Sequence, residues 1–138
     1  GNGNISLVAA AVADRVLGVE SDPRSVRQAR LNGRQAGVSA SRCRFVAGRS
    51  EAVARRLAAK GERFDCVIVD PPRRGCRRLL PALADLDCRA VLLVSCDPAT
   101  LARDMGALRR WGYRLARLCA VDMFPQTHHV ETLALLRR

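Results

Sequence analysis

The sequence is poor in aromatic residues: one tryptophan, one tyrosine and three phenylalanines in 138 positions. That scarcity argues against a broad platform on which bases stack, as in an RRM. It has no apolar run near the length of a membrane span and no secretory leader, so neither a membrane helix nor a secreted product is expected. Cys43, Cys66, Cys76, Cys88, Cys96 and Cys119 never fall in a C-x-x-C pair, which argues against zinc or an iron–sulfur cluster held by this segment, and no metal is expected. Scattered cysteines in an α/β pattern suggest free thiols and a reducing cytoplasm. No internal repeat, low-complexity tract or interdomain linker interrupts the chain, so residues 1–138 are expected to form one domain. Lysine is nearly absent too: Lys60 is the only one among 24 basic residues, which face 13 acidic ones for a formal charge of +11. Such an excess fits a polyanionic partner, above all nucleic acid, or else an arginine-biased composition with a solvated basic surface.

Almost half of the residues, 49%, are apolar, enough for a globular core. The pattern is organised around the stretch from Val94 to Asp104. The apolar run Ala90–Val94 reads as a buried parallel strand, and a helix is expected over residues 99–110. Cys96 then sits at the carboxyl end of a strand, where open α/β sheets bind ligands. A thiol there is reactive where backbone N–H groups or positive charge favour the thiolate, and otherwise an inert strand-end cysteine.

Residues 1–4 form a glycine turn leading into an apolar helix through Ala13. Gly1 and Gly3 allow close backbone approach to a ligand, and Asn4 is read as a cap or hydrogen-bonding residue. A strand over residues 15–20 ends on Glu20, an acid placed to accept ribose hydroxyls or, alternatively, to cap a helix. A helix follows from Asp22–Pro23 to about Gln35, then a short strand, 44–47, and a basic amphipathic helix, 50–60. The run Phe64–Val69 reads as a strong buried strand. It ends in Asp70-Pro71-Pro72-Arg73-Arg74-Gly75, where two prolines and a glycine forbid regular structure and hold Asp70 on a rigid loop. Arg73 and Arg74 face either a phosphate backbone or solvent. A helix is expected over 77–86. Near the end, strands over 113–123 and 130–136 flank a short loop and must lie antiparallel. Within that loop His128 and His129 are adjacent on extended chain, point to opposite sides, and are read as loop-shaping or RNA-contacting rather than chelating. Strand–helix repetition closed by an antiparallel pair fits the open α/β sheet of S-adenosylmethionine-dependent methyltransferases.

Four stretches carry a closer likeness: Gly1-Asn2-Gly3-Asn4; Asp70-Pro71-Pro72-Arg73; Ser95-Cys96-Asp97-Pro98-Ala99-Thr100-Leu101-Ala102-Arg103-Asp104; and Asp122-Met123-Phe124-Pro125-Gln126-Thr127-His128-His129-Val130-Glu131. In order and spacing the chain resembles, along essentially its whole length, the catalytic domain of the RNA (uracil-C5)-methyltransferases, which form 5-methyluridine in transfer and ribosomal RNA. The last two stretches are long and specific, while the first two are shared with many methyltransferases. The resemblance implies a Rossmann-like class I fold, mostly parallel with a C-terminal antiparallel hairpin, S-adenosylmethionine as cofactor and RNA as partner. It places Gly1, Gly3, Asn4, Glu20 and Asp70 on cofactor-contacting positions, Cys96 on the nucleophile and Glu131 on the general base. Asp97 departs from the asparagine common in the family.

The implied chemistry accounts for these residue types. Uracil C5 is a poor nucleophile until a thiolate adds to C6, and the adduct must later lose its C5 proton to a positioned carboxylate. The family's full enzymes are longer than this chain. The resemblance therefore implies that it is the C-terminal piece of such an enzyme, lacking the first sheet strand, and a chain without turnover on its own is expected. Alternatives from other classes are a noncatalytic basic RNA-binding module and a C5-methyltransferase of another nucleic acid, although the Pro-Cys motif usual in DNA cytosine enzymes is absent.

Overall fold

A computed structural model describes residues 1–123, 125–127 and 130–138. The two histidines of the last loop, His128 and His129, lie outside the described residues, as does Phe124. Two compact units follow one another along the chain, Gly1–Val53 and Ala54–Arg138.

The first unit contains helix α1 (Asn4–Ala9), strand β1 (Val16–Glu20), helix α2 (Pro23–Gln35) and strand β2 (Cys43–Ala47), and helix α3 (Ser50–Ala59) begins in it. β1 runs parallel to β2, with Val16 opposite Cys43 and Glu20 opposite Ala47. α2 starts where the Asp22 carboxylate accepts the backbone N–H groups of Arg24 and Ser25 at 3.0 and 3.2 Å, with Pro23 in the first turn. Its Val26 and Ala29 pack with Ala10, Cys43 and Phe45 into a small core. The cap of α1 differs from expectation. Gly3, not Asn4, occupies the N-cap, in the left-handed region at φ 90°, and no side chain caps the helix. A Cβ on Gly3 would lie 2.9 Å from the Phe45 ring, so the close approach of turn and ring requires glycine there. α1 is also shorter than the apolar run suggested: it stops at Ala9, and Val8 and Val12 stay 75% and 90% exposed.

The second unit builds one four-stranded sheet from β3 (Cys66–Val69), β4 (Ala90–Ser95), β5 (Arg114–Val121) and β6 (Glu131–Arg137), in the order β3-β4-β6-β5. β3 and β4 are parallel, and β6 is antiparallel to both β4 and β5. β5 and β6 thus pair as expected across their short loop. β6 also inserts between β5 and β4, a placement that pattern alone does not reveal. Alternate residues of β4 (Val91, Leu93, Ser95) and of β6 (Thr132, Ala134, Leu136) are buried. The core packs them with Leu80 and Leu83 of helix α4 (Leu80–Asp85), Leu101 and Leu108 of helix α5 (Pro98–Arg109), and Tyr113. The Tyr113 hydroxyl is fully buried and donates to the Cys88 carbonyl at 2.7 Å, so its burial leaves no polar atom unpaired.

Two expectations fail in this unit. β3 is not a strong buried strand: Cys66 and Ile68 are exposed, because among the described residues β3 pairs on one side only and turns one face away from the core. α4 begins at Leu80 rather than at residue 77. Gly75 takes φ 78°, the Cys76 N–H is given to a side chain on α5, and a turn closed by Leu79 N–H on the Cys76 carbonyl precedes the helix. All six cysteines are free. No helix among the described residues is long and apolar enough to cross a membrane.

Candidate functional site

The antiparallel register of β4 and β6 ends with Ser95 opposite Thr132. Continued by one residue it sets Cys96 opposite Glu131, the nucleophile and base candidates. They are far apart in sequence, and the inserted strand β6 brings them to one edge of the sheet. Both are half-buried. Cys96 lies in a turn fixed from both sides. The Ser95 hydroxyl accepts the Asp97 N–H at 3.1 Å and donates to the Asp97 carbonyl at 3.0 Å. The Asp97 carboxylate accepts the Thr100 N–H at 2.8 Å and is the N-cap of α5. That bond, then the Thr100 hydroxyl, holds the Asp97 carboxyl below its ordinary range, with a smaller contribution from the charge of Arg73. The departure from asparagine therefore keeps a good cap, since both residues accept helix N–H groups equally well. Cys96 is one residue ahead of this cap.

Asp70 follows the last residue of β3, Val69, which lies opposite Leu93 of β4, so the Asp70 loop leaves the same sheet edge as Cys96. Its side chain is exposed and has no hydrogen bond or ion pair among the described residues. The loop behind it is rigidly tied to α5. Asp104, 2% exposed, accepts the Cys76 N–H at 2.7 Å. Arg103 donates to the Arg74 carbonyl at 2.8 Å and to Asp104 at 2.8 Å. Gly75 lies against this pair, and a Cβ on it would come within 2.3 Å of Arg103 and 2.4 Å of Asp104. Burial, together with the charge of Asp104, pushes the Cys76 thiol up to about 12. Sequence reading gave Arg103 and Asp104 no role. The available signal was spacing: Leu101, Asp104 and Leu108 share the buried face of α5, and a carboxylate on an apolar stripe calls for buried donors.

In the first unit, Gly1 lies beside Glu20 at the end of β1. The Glu20 carboxylate accepts from the Asp22 N–H at 2.8 Å and from the Ser21 hydroxyl at 2.9 Å. Glu20 does not cap α2; Asp22 does. Gly3 shapes the turn, and Asn4, in the first turn of α1, is exposed. A depression of about 480 Å³ between α1 and the end of α2, lined by Leu7, Ala10, Val38 and Arg42 among others, contains none of the candidate residues. Among the described residues no three His, Cys, Asp or Glu side chains gather in a metal-binding group.

Comparison with known proteins gives concordant matches. A family model described as tRNA (Uracil-5-)-methyltransferase matches residues 1–138. An uncharacterized RNA methyltransferase of Gloeobacter violaceus is 48% identical over 139 aligned residues, covering 100% of this chain and 29% of its own length. A 23S rRNA (uracil(1939)-C(5))-methyltransferase of Edwardsiella ictaluri is 42% identical over 135 residues, 98% of this chain and 30% of that protein. The crystal structure of the Pyrococcus abyssi tRNA (uracil-54, C5)-methyltransferase in complex with S-adenosyl-L-homocysteine superposes with a TM-score of 0.82 at 36% identity, over 99% of this chain and 31% of that one. The chain thus spans about 30% of the length of the curated relatives it matches.

Proposed function

This chain belongs to the tRNA (uracil-5-)-methyltransferase family and has the Rossmann-like class I fold, and from that premise we propose that it is the catalytic domain of an S-adenosylmethionine-dependent RNA (uracil-C5)-methyltransferase. The substrate is a uridine in ribosomal or transfer RNA, the classes acted on by the Edwardsiella and Pyrococcus relatives. The observation that supports the reading is the β4–β6 register, which pairs Ser95 with Thr132, the strand residues next to Cys96 and Glu131.

The residues present fit the cofactor. Glu20 is a charged acceptor suited to paired ribose hydroxyls, and Gly1 beside it has open space where a side chain would stand. Asn4 and the unpaired carboxylate of Asp70 complete the set of polar groups assigned to it. S-adenosylmethionine, when bound, supplies the methyl group that uracil C5 takes up.

The work of the chain's own residues follows from their chemistry. Cys96 Sγ, as thiolate, bonds to uracil C6, and the C5–C6 π electrons move onto the base as an enolate with density at C5. Once C5 is methylated, Glu131 removes the C5 proton. The electron pair of that C–H bond reforms C5=C6, and the bond from C6 to Cys96 Sγ breaks, returning the thiolate. The base is reached only after it leaves its stack, and arginine contacts to phosphate help to hold the distorted RNA.

The test uses RNA bearing 5-fluorouridine, in which fluorine replaces the proton that Glu131 must remove. Incubated with S-adenosylmethionine and the full-length enzyme that carries this chain, it is expected to leave a covalent adduct that mass spectrometry assigns to the Cys96 peptide. Methylation of ordinary RNA with no adduct at Cys96 would remove the thiol from the mechanism. An absence of both would leave the binding-module reading.

A further inference from the structure

Within the six residues that follow Pro72 the chain carries Arg73, Arg74, Arg77 and Arg78, and no acid. All four are exposed. Arg74, Arg77 and Arg78 have no side-chain hydrogen bond or ion pair among the described residues. Elsewhere arginines are used in the fold: Arg49 pairs with Glu51, Arg103 with Asp104 and Arg138 with Asp87. Crowding like charges on one short segment opposes folding and is relieved by an anion.

The segment is also held in place. Its backbone is fixed at Arg74 O by Arg103 and at Cys76 N by the buried Asp104, with Gly75 tight against both. These anchors leave the guanidinium groups of Arg74, Arg77 and Arg78 outward, so little ordering cost is left for a ligand to meet. The helix that anchors the segment is the one whose N-cap adjoins Cys96.

We propose that Arg74, Arg77 and Arg78 form a phosphate-binding face for the RNA strand that flanks the target uridine. One phosphate is satisfied by one or two guanidinium groups, whereas a row of three on a fixed backbone suits a polyanion. The face lies on the loop that begins at Asp70, next to the strand end carrying Cys96, so a strand delivering its base to that thiol passes within reach. The inference rests on the reading of the chain as an RNA-modifying enzyme and adds which surface takes the backbone.

The experiment compares the intact protein with R77Q/R78Q and with R27Q/R34Q, which removes the same charge from the exposed face of α2. Binding of a labelled single-stranded, uridine-containing RNA is followed from 50 to 300 mM salt. The R77Q/R78Q slope of log K against log salt is expected to flatten by about 0.7 per arginine removed, with affinity about tenfold weaker at low salt. R27Q/R34Q is expected to keep the original slope, and R77K/R78K to restore it. Equal flattening in both glutamine variants, or no RNA binding by the unsubstituted protein, would overturn the proposal. Loss of slope at Arg77 and Arg78 in a full-length enzyme that methylates no RNA would instead refute the catalytic reading and leave the binding face standing.

Discussion

Ser95 lies directly opposite Thr132 where β4 and β6 run antiparallel, and Cys96 and Glu131 are the next residue of each chain at that edge. The pairing depends on β6 lying between β4 and β5. Had β5 taken the place beside β4, the carboxylate would sit one strand further from the thiol.

Cys96→Ala is expected to abolish covalent RNA capture and methylation while leaving cofactor affinity within a few-fold. The thiol acts on the base, and a half-buried side chain outside the core has little to lose in packing. Calorimetric titration with S-adenosylhomocysteine, alongside a methylation assay, checks both halves of the expectation.

Glu131→Gln is expected to accumulate the methylated covalent adduct. Size and hydrogen-bonding reach are kept, so attack by Cys96 survives while removal of the C5 proton slows. A denaturing gel with ordinary uridine RNA should show a protein–RNA band. Turnover that falls without such a band would place Glu131 earlier in the reaction.

Glu20→Gln is expected to weaken S-adenosylhomocysteine binding by about tenfold, the scale of one charge-assisted hydrogen bond exchanged for a neutral one. The measurement is a binding isotherm at pH 7, where a glutamate is ionised. Affinity equal to that of the unsubstituted protein would take Glu20 out of the cofactor site.

Gly75→Ala is expected to cost about 2 kcal/mol or more, because an L residue is strained at positive φ. Here φ is 78° and the added Cβ meets Arg103 and the Asp104 carboxylate. Asp104→Ala is expected to cost about 2 kcal/mol by stranding the buried N–H of Cys76. Urea denaturation of both variants reads these values. Losses under about 0.5 kcal/mol, the range of ordinary surface changes, would show that the loop is not held by this contact.

Cys76 is expected to resist alkylation at pH 8 while Cys119 reacts. Burial raises the Cys76 thiol from its ordinary 9.0 to about 12, and Cys119 is exposed. Because the folded thiol binds its proton more tightly than the unfolded one, its stabilising contribution is complete below about pH 9 and fades as pH rises toward 12. Peptide mapping after iodoacetamide treatment distinguishes the two cysteines.

Local order was legible from residue type. Asp22 and Pro23 start α2, and the apolar run Ala90–Val94 marks β4, because caps and apolar runs act over a few residues. Candidate roles for Cys96, Glu131, Glu20 and Asp70 were also set out by motif, since a motif records which residue types a reaction needs. Three features were decided by tertiary structure. Gly3 displaced Asn4 as the α1 cap because the Phe45 ring crowds that turn. The chain between Gly75 and the start of α4 at Leu80 is placed by the Cys76 N–H on Asp104, 28 residues away. The meeting of Cys96 and Glu131 came from the insertion of β6. Each depends on partners distant in sequence, whose contact is fixed by packing and hydrogen-bond satisfaction across the fold and leaves no local pattern to read.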